Sequence, residues 1–337
     1  MSSDIQRRTP PCMTITREDA ALVGDLLTSS RSEETKRSYS SAIRTFAVWC
    51  ADRNYPVHPT TPDVVAAYIA HRASLVSHST ISRDVAAIAA AHLDAGLEDP
   101  TSHHGVRQAL RSAGRTLGTA PSRRAAPVTT EAMRRIIEAM DDLDTVVGKR
   151  DRAILLLGLA AAQRRSEVAQ LSTKDLTRLD AGLLLRIRRS KTDQSGKGEV
   201  IGIPLGGHPE TCPVLAVEDW LEASRRRIGA QGPLFSRIFN RATIARTPIS
   251  DRSIARIIQL RASAAGITGE EYSQVFGAQS WVSGHSLRAG HATSAAEAGL
   301  SPMSIARTTR HKRLDSLARY VRPTSAVEDS TAGKIGL

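Results

Sequence analysis

Six positions from residue 164 onwards carry side chains that suit phosphoryl transfer: Arg164, Lys191, His285, Arg288, His311 and Tyr320. Two guanidiniums can bind the non-bridging oxygens of one phosphodiester and stabilise the added charge of a pentacoordinate transition state. Imidazoles can complete this cradle and assist proton transfer. A lysine ammonium can protonate a departing alkoxide, and a tyrosine phenol can be the nucleophile once it loses its proton. With so many cations, this chemistry needs no Mg²⁺ and no other cofactor.

Each position also has a plainer explanation. Arg164, in QRRSEV, follows an apolar helix, where charged residues are at least as often solvated termini. Lys191 lies in a predicted β-turn, where a lysine is ordinarily exposed. His285 and Arg288 are three residues apart, which places both on one helix face but equally suits a structural hydrogen-bonding pair. A tyrosine on a C-terminal amphipathic helix, such as Tyr320, usually belongs to a core.

The elements that position these residues are mostly helices. Residues 1–16 are polar, contain Pro10-Pro11, and are predicted to form a disordered tail. Apolar residues spaced three and four apart predict a helix over 33–53, and further helices begin at Thr61, Ser79 and His103. Residues 17–118 are therefore predicted to form an all-helical bundle without strands.

Two basic segments close this first part of the chain. The helix over 103–117 is predicted to face the core with Val106, Leu110 and Leu117, and its opposite face carries arginines at i, i+4 and i+8. The segment 119–127, TAPSRRAAP, is typical of an exposed interdomain linker. If the partner is a nucleic acid, as the basic composition favours, the candidate contact residues on these segments are Arg107, Arg111, Arg115, Arg123 and Arg124.

Residues 128–337 are predicted to combine helices with a small β-hairpin. Thr130 caps a helix, and a long apolar helix runs over 149–162. Between 182 and 205 the pattern changes to two short β-type runs around the turn sequence DQSG, which predicts a hairpin. Helices resume over 214–228, 251–265, 286–298 and 302–308.

Composition favours a nucleic-acid partner and excludes several classes of protein. The 337 residues include 46 basic and 34 acidic ones, a net charge of +12, and 39 of the basic residues are arginine. Residues 1–127 carry +3 and residues 128–337 carry +9, although a codon-biased genome also produces many arginines. No apolar run suits a membrane span or a secretory signal, and the three cysteines are widely spaced. We therefore expect a cytosolic protein without a disulfide framework or a cysteine-based metal site.

In order and spacing, the six positions resemble the tyrosine recombinase (phage integrase) family, with a layout like that of Cre-type recombinases. Arg164 matches the first arginine of the family, which lies in an R-x-[SA]-E motif after an apolar helix. Lys191 in RRSKTD matches the lysine of the family's β-hairpin. His285 and Arg288 in GHSLRAGH match its H-x-x-R box, one of the most specific segments of this sequence.

The remaining matches lie near the end of the chain and beside the first arginine. His311 and Tyr320, nine residues apart in RHKRLDSLARYVR, match the second His/Trp position and the nucleophile. Glu167 matches the acidic residue that supports the first arginine and the hairpin lysine. A chance match of all these positions in the right order is improbable.

The resemblance implies a fold class that is mainly α. Residues 17–118 correspond to a SAM-like helical core-binding domain that clamps DNA, and residues 119–127 to a linker. Residues 128–337 correspond to an α+β catalytic domain with a small β-sheet or hairpin, ending in an oligomerisation helix from about residue 325.

The resemblance also implies the reaction. Tyr320 attacks a scissile phosphate and leaves a 3′-phosphotyrosyl bond and a free 5′-hydroxyl, whose oxygen Lys191 protonates. The phosphate is held by Arg164, Arg288, His285 and His311. Because the phosphotyrosine keeps the bond energy, religation needs neither ATP nor metal.

The implied partners are double-stranded DNA with inverted-repeat sites and other copies of the chain. Family members act as tetramers on two sites and exchange strands through a Holliday junction, which is compatible with monomers in free solution. No membrane is involved, and the implied location is the cytoplasm, where a protein of bacterial or phage origin is associated with the nucleoid.

Three residues depart from the family pattern or compete with it. Arg310 stands where glycine commonly precedes the second histidine, Arg165 competes with Arg164 for the role of first arginine, and His291 is interpreted as a core residue. None of these removes a catalytic group.

Two other functions stay open at this point. A type IB topoisomerase-like enzyme uses much the same catalytic residues but relaxes supercoils as a monomer. A non-catalytic DNA-binding protein could also keep the same fold, although all six positions hold competent residues.

Overall fold

A computed structural model describes residues 31–120, 123–188, 198–276 and 279–311. Contacts divide the chain into two compact units, Met1–Ala120 and Pro121–Leu337. Within the described ranges, no helix is both long enough and apolar enough to cross a membrane.

The first unit is helical throughout its described residues. Its elements are α1 Glu33–Ala51, α2 Pro62–Ala73, α3 His78–Asp94, a 3-10 turn Pro100–Ser102 and α4 His104–Leu117. Side chains cap the first two helices, because Ser32 accepts a hydrogen bond from the Thr35 N–H and Thr61 accepts one from the Val64 N–H. The prediction of an all-helical region is confirmed for 31–120, with α3 beginning one residue before the predicted Ser79.

Aromatic rings fill the core of this bundle. The Tyr68 ring meets Phe46 and Trp49 edge to face, at centroid distances of 5.0 and 5.1 Å. The Tyr68 hydroxyl donates to the buried Asp84 carboxylate at 3.2 Å, and Arg72 donates to the same oxygen at 3.1 Å. The charge buried in this bundle is therefore matched by an opposite charge.

Helix α4 presents its arginines outward as predicted, but one of its predicted core residues is exposed. Val106 is buried, whereas Leu117 is 38% exposed. The helix stops at Leu117 because Gly118 has a φ of +72°, and Ala113 and Gly114 occupy the buried face of the last turns. The inward assignment of Leu117 is wrong.

The second unit mixes helices with short strands. Its helices are α5 Thr130–Glu138, α6 Val146–Ala160, α7 Arg165–Gln170, α8 Pro213–Ala223, α9 Asp251–Ala264, α10 Glu271–Phe276, α11 Ser286–Glu297 and α12 Pro302–Thr309. Its strands are β1 Arg123–Ala125, β2 Leu176–Leu179, β3 Gly182–Ile187, β4 Glu199–Pro204, β5 Ser236–Phe239, β6 Thr243–Pro248 and β7 Gln279–Trp281. Helix α6 lies in the core with Ile154, Leu155 and Leu157 fully buried. The mainly α fold class with small sheets is confirmed.

Three small sheets accompany these helices. Strands β3 and β4 pair antiparallel, with Leu185 opposite Ile201, which confirms the predicted hairpin, and β2 pairs with the other edge of β3. Strands β5 and β6 form a second hairpin, which the sequence reasoning missed, around Asn240 and Arg241 at φ +48° and +58°.

The predicted exposed linker over 119–127 is corrected in its second half. Residues 123–125 form β1, which pairs in parallel with β7, and the next two residues, Ala126 and Pro127, are buried. The Ala126 N–H donates to the Trp281 carbonyl at 2.9 Å. The second half of this segment is therefore part of the second unit.

Some helix boundaries also differ from prediction. Thr129, not Thr130, caps α5, since its hydroxyl accepts from the Ala132 N–H. Helix α8 ends at Ala223, five residues before the predicted end, because Arg225 adopts a left-handed φ of +53°.

Candidate active site

The loop after α6 presents Arg164 beside a buried carboxylate. Ala162 turns the chain with a φ of +47°, and Arg164 then caps α7. Glu167, 5% exposed, accepts the Arg164 backbone N–H at 3.0 Å on Oε2 and the Arg164 Nη1 at 2.6 Å on Oε1. One carboxylate thus fixes both the loop and the guanidinium.

The neighbouring Arg165 points elsewhere. Its Nε lies 3.2 Å from Asp251 Oδ2, and both side chains are more than 40% exposed. Of the two adjacent arginines, Arg164 is therefore the one held at the buried carboxylate.

Helix α11 carries His285 and Arg288 at its N-terminal end, but with different surroundings. His285 is the exposed cap residue, whereas Arg288 is buried and donates from Nη1 to the Ala162 carbonyl at 2.9 Å. Through this bond Arg288 reaches the same loop as Arg164. Gly290 lets α11 pack against the segment before α5, since a Cβ there would lie 1.7 Å from the Val128 carbonyl oxygen.

His311 follows α12 and is held in one tautomer by Thr309. The Thr309 hydroxyl donates to the Ile305 carbonyl at 2.6 Å, so at 2.7 Å it accepts a hydrogen bond from His311 Nδ1. The Nε2 atom of the neutral ring is then left with its lone pair. Burial, the largest cause, and the positive charges of Arg288, Arg164 and Arg310 together lower the pKa of His311 to about 4.

Arg310 is the functional candidate that the sequence reasoning set aside. Its guanidinium is buried, and its Nη2 donates to Glu167 Oε2 at 2.6 Å and to the Ala162 carbonyl at 3.3 Å. Its backbone is left-handed, with φ +57° and ψ +43°, a conformation that costs a non-glycine residue about 1 kcal/mol. The sequence signal that could have identified Arg310 is an arginine at a position where the family commonly has glycine.

His291, interpreted as a core residue, is partly buried beside this site. Its Nδ1 lies 2.9 Å from the Leu159 carbonyl, and burial lowers its pKa. It lies on the rim of a cavity of about 340 Å³ that Leu156 and Ser294 also line.

Two of the predicted catalytic residues, Lys191 and Tyr320, lie outside the described residues. Lys191 belongs to the connection between β3 and β4. Strand β3 ends at Ile187 and β4 begins at Glu199, and these two residues pair with each other. Tyr320 follows nine residues after His311.

The five candidate DNA-contact arginines are described and divide into two groups. Arg107, Arg111 and Arg115 are exposed on α4. On β1, Arg123 is exposed with its guanidinium 6.0 Å from the Trp281 ring centroid, while Arg124 is partly buried.

The described part of the site suits an anion. Arg164 and Arg310 share the Glu167 carboxylate, and Arg288 and Arg310 share the Ala162 carbonyl. Two of the carbonyls that Arg310 contacts, those of Ala161 and Ala162, follow the C-terminus of α6, where the helix dipole favours cations. The imidazole of His311, whose pKa the charges of these guanidiniums help to lower, lies beside them.

Comparison with known proteins decides the family. Residues 127–326 match the model of the phage integrase family. An integrase/recombinase xerD homolog from Selenomonas ruminantium is 31% identical over 312 residues, covering 92% of this chain and 87% of that protein. The chain belongs to the phage integrase family. Its activity is site-specific recombination by a tyrosine recombinase, as the resemblance of its motifs implied.

Further relatives agree with this membership. The recombinase cre of Escherichia phage P1 is 25% identical over 303 residues, covering 86% of this integrase-family chain and 84% of that protein. A lambda integrase dimer bound to a COC′ core site shares the fold with a TM-score of 0.55 at 17% identity, covering 90% and 94% of the two chains. The Tn1549 transposon integrase, in complex with transposon right end DNA, shares it with a TM-score of 0.56 at 14% identity, covering 91% and 95%.

Proposed function

We propose that this chain cleaves and rejoins duplex DNA at a specific site through a 3′-phosphotyrosyl link made by Tyr320. The observation that carries the proposal is the cluster of Arg164, Arg288 and Arg310 around one carboxylate and the carbonyls that end α6. The guanidiniums of Arg164 and Arg288, fixed in this way, stabilise the charge that develops on phosphate oxygens during displacement.

In the proposed step, the Tyr320 oxygen forms a bond to phosphorus and the bond from phosphorus to the 5′-oxygen breaks. The phenol proton passes to an imidazole of the site, that of His285 or His311. Lys191 gives a proton to the departing 5′-oxygen. Arg164 and Arg288 bind the non-bridging oxygens, and His285 at the exposed start of α11 adds a donor. Religation runs the same transfers backwards.

Each of the two units is proposed to contact DNA. Residues 17–118 form the core-binding domain, 119–127 connect it to the catalytic domain, and 128–337 carry the chemistry. Exposed Arg107, Arg111 and Arg115 contact backbone phosphates, as do Arg123 and Arg124. Such contacts make affinity fall with salt.

The assembly is proposed to be a tetramer on two inverted-repeat sites. Support comes from a lambda integrase tetramer bound to a Holliday junction, which shares the fold with a TM-score of 0.55 and covers 92% of this chain. The segment from about residue 325 would dock on a neighbouring copy. The site of action is proposed to be the cytoplasm of a bacterium.

The test uses duplexes selected from random DNA by binding to the wild-type chain. A nick near the cleavage point lets a short fragment escape, so covalent protein–DNA adducts accumulate and survive denaturation. Wild type should form them, whereas Tyr320→Phe should bind the duplex and form none. Tyr272→Phe, a partly buried tyrosine packed on the core of the second unit, is the matched control and should form adducts as wild type does. Adducts with Tyr320→Phe would overturn the assignment.

A second variant tests the leaving-group acid. Lys191→Ala should slow cleavage and spare binding, because the 5′-alkoxide then departs without a proton. A duplex whose scissile 5′-oxygen is replaced by sulfur has a better leaving group and should restore the rate. An equal defect on both duplexes would contradict the role of Lys191.

A further inference from the structure

Arg310 makes contacts that its position does not require. A residue that ends a helix in a left-handed conformation is served best by glycine, since a side chain adds strain there. Arg310 instead sends a guanidinium into the interior, where the side chain is 1% exposed. Burying this charge is unfavourable unless it is paired and hydrogen-bonded.

The pairing of Arg310 is directed at the support of Arg164. The Arg310 Nη2 takes Glu167 Oε2 at 2.6 Å, which leaves Oε1 for the Arg164 Nη1, also at 2.6 Å. With both oxygens engaged, the carboxylate cannot rotate without breaking an ion pair. By fixing the carboxylate, Arg310 also fixes the orientation of the Arg164 guanidinium that is bound to its other oxygen.

The same guanidinium ties two further elements to this loop. Arg310 directly precedes His311, so its bonds to the carbonyls of Ala161 and Ala162 hold the end of α12 against the loop after α6. Its Nε lies 3.7 Å from Glu199 Oε2, at the start of β4 and thus at one end of the connection that contains Lys191. Arg310 lies where three parts of the site meet.

We propose that Arg310 is a positioning residue that orients Arg164 through Glu167 and seats His311, without touching the substrate. This rests on the proposed function, since it deepens the account of the same site. The expected loss is in the rate of cleavage at saturating DNA, with DNA affinity unchanged.

The variants follow from the geometry. Arg310→Gly suits the left-handed backbone and removes the guanidinium, whereas Arg310→Lys keeps the charge but cannot span Glu167 and the carbonyls together. Arg307→Ala, on the exposed face of the same helix, removes one positive charge as the matched control. Arg310→Gly should slow single-turnover cleavage roughly 10²-fold, a size typical of misplaced catalytic groups. Arg310→Lys should recover only part of this loss, and Arg307→Ala should cleave as wild type does.

A double-mutant cycle tests whether Arg310 acts through Glu167. If it does, Glu167→Gln combined with Arg310→Gly is no slower than the more damaged single variant, because each removes the same support. Full additivity of the two losses would overturn the proposal, as would wild-type cleavage by Arg310→Gly.

A second measurement needs no DNA and separates this inference from the proposed function. In side-chain NMR, the Arg164 guanidinium should rotate slowly in wild type and in Arg307→Ala, and faster in Arg310→Gly. Unchanged rotation in Arg310→Gly would overturn the positioning role even if adducts form. Failure of the wild-type chain to form any adduct would instead refute the proposed function, and the NMR result would still decide what Arg310 does.

Discussion

The two ends of helix α6 hold two arginine clusters that balance their charge differently. Near its start, Arg150 and Arg261 meet Asp151 and Asp142, with Arg261 donating to both carboxylates at 2.8 Å. Beyond its end, Arg164 and Arg310 share Glu167 as their buried carboxylate, and among the described residues the next acid paired with them is the half-exposed Glu199, 3.7 Å from Arg310. In the first cluster, the matched network, each arginine has a carboxylate to balance it. In the second, the surplus cluster, two arginines share one buried carboxylate, and the remaining positive charge suits an added anion.

The local balance between buried arginines and carboxylates distinguishes a structural ion network from a functional site better than the total charge of the chain does. Buried ions are unfavourable unless matched, so a matched network needs no ligand and a surplus of fixed cations favours an anion. The exposed arginines of α4 form a third case, because solvated cations raise the affinity for DNA without orienting the scissile phosphate.

The largest expected effect is on catalysis at the surplus cluster. Arg164→Gln should slow cleavage at saturating DNA by about 10³-fold, because it removes a donor aimed at the developing charge. The adjacent Arg165→Gln, which loses only an exposed pair with Asp251, should cleave at the wild-type rate. Single-turnover cleavage of the same duplex measures both. Equal losses in the two variants would break the comparison.

A substitution in the matched network should lower the stability of the fold and leave the cleavage rate unchanged. Arg261→Gln leaves two carboxylates short of a cation and should lower the free energy of unfolding by about 2 kcal/mol. Its cleavage rate at saturating DNA should stay that of wild type at a temperature where it is folded. Denaturant titration gives the stability, and a slow but stable variant would contradict the structural role.

A smaller effect is expected from inorganic phosphate without DNA. Phosphate at ten times its dissociation constant should stabilise the wild-type chain by about 1.4 kcal/mol. Chloride at equal ionic strength should not reproduce this, and Arg164→Gln should lose it. Equal thermal shifts in wild type and Arg164→Gln would show that phosphate acts elsewhere.

The smallest effect concerns pH. Folding lowers the pKa of His311 to about 4, so between its ordinary value near 6.5 and this value the unfolded chain binds a proton that the folded chain does not. Stability should therefore fall as pH drops through this window, and less so in His311→Gln. Melting temperatures at pH 7 and pH 5 test it. An identical drop in both proteins would contradict the assigned pKa shift, since the lowered pKa of His291 remains in each.

Local signals explain most of the fold that the sequence predicts. The start of α2 is determined locally by Thr61 and Pro62. The hairpin of β3 and β4 is likewise determined locally, by the β-type runs on either side of DQSG. The hairpin around Asn240 was missed although its left-handed turn carries an asparagine, because the flanking runs alternate poorly. Strand β1 has three residues and pairs with a strand more than 150 residues away, so no local pattern announces it.

The site shows the same limit more sharply. The motif spacing selected Arg164, Glu167 and Arg288, and the structure brings all three to one loop. The sequence marks Arg310 only as an arginine where glycine is common, and its contact with Glu167 could not be predicted because the two residues lie 143 positions apart. The tautomer of His311 likewise depends on the contact with Thr309.

The central claim is that the surplus cluster neutralises the charge of a phosphate in the transition state. A duplex with a neutral methylphosphonate at the scissile position tests it directly, because one non-bridging oxygen and its charge are replaced by a methyl group. Arg164→Gln should cleave this duplex at nearly the wild-type rate while remaining about 10³-fold slower on the ordinary phosphodiester. An equal defect on both duplexes would contradict the account.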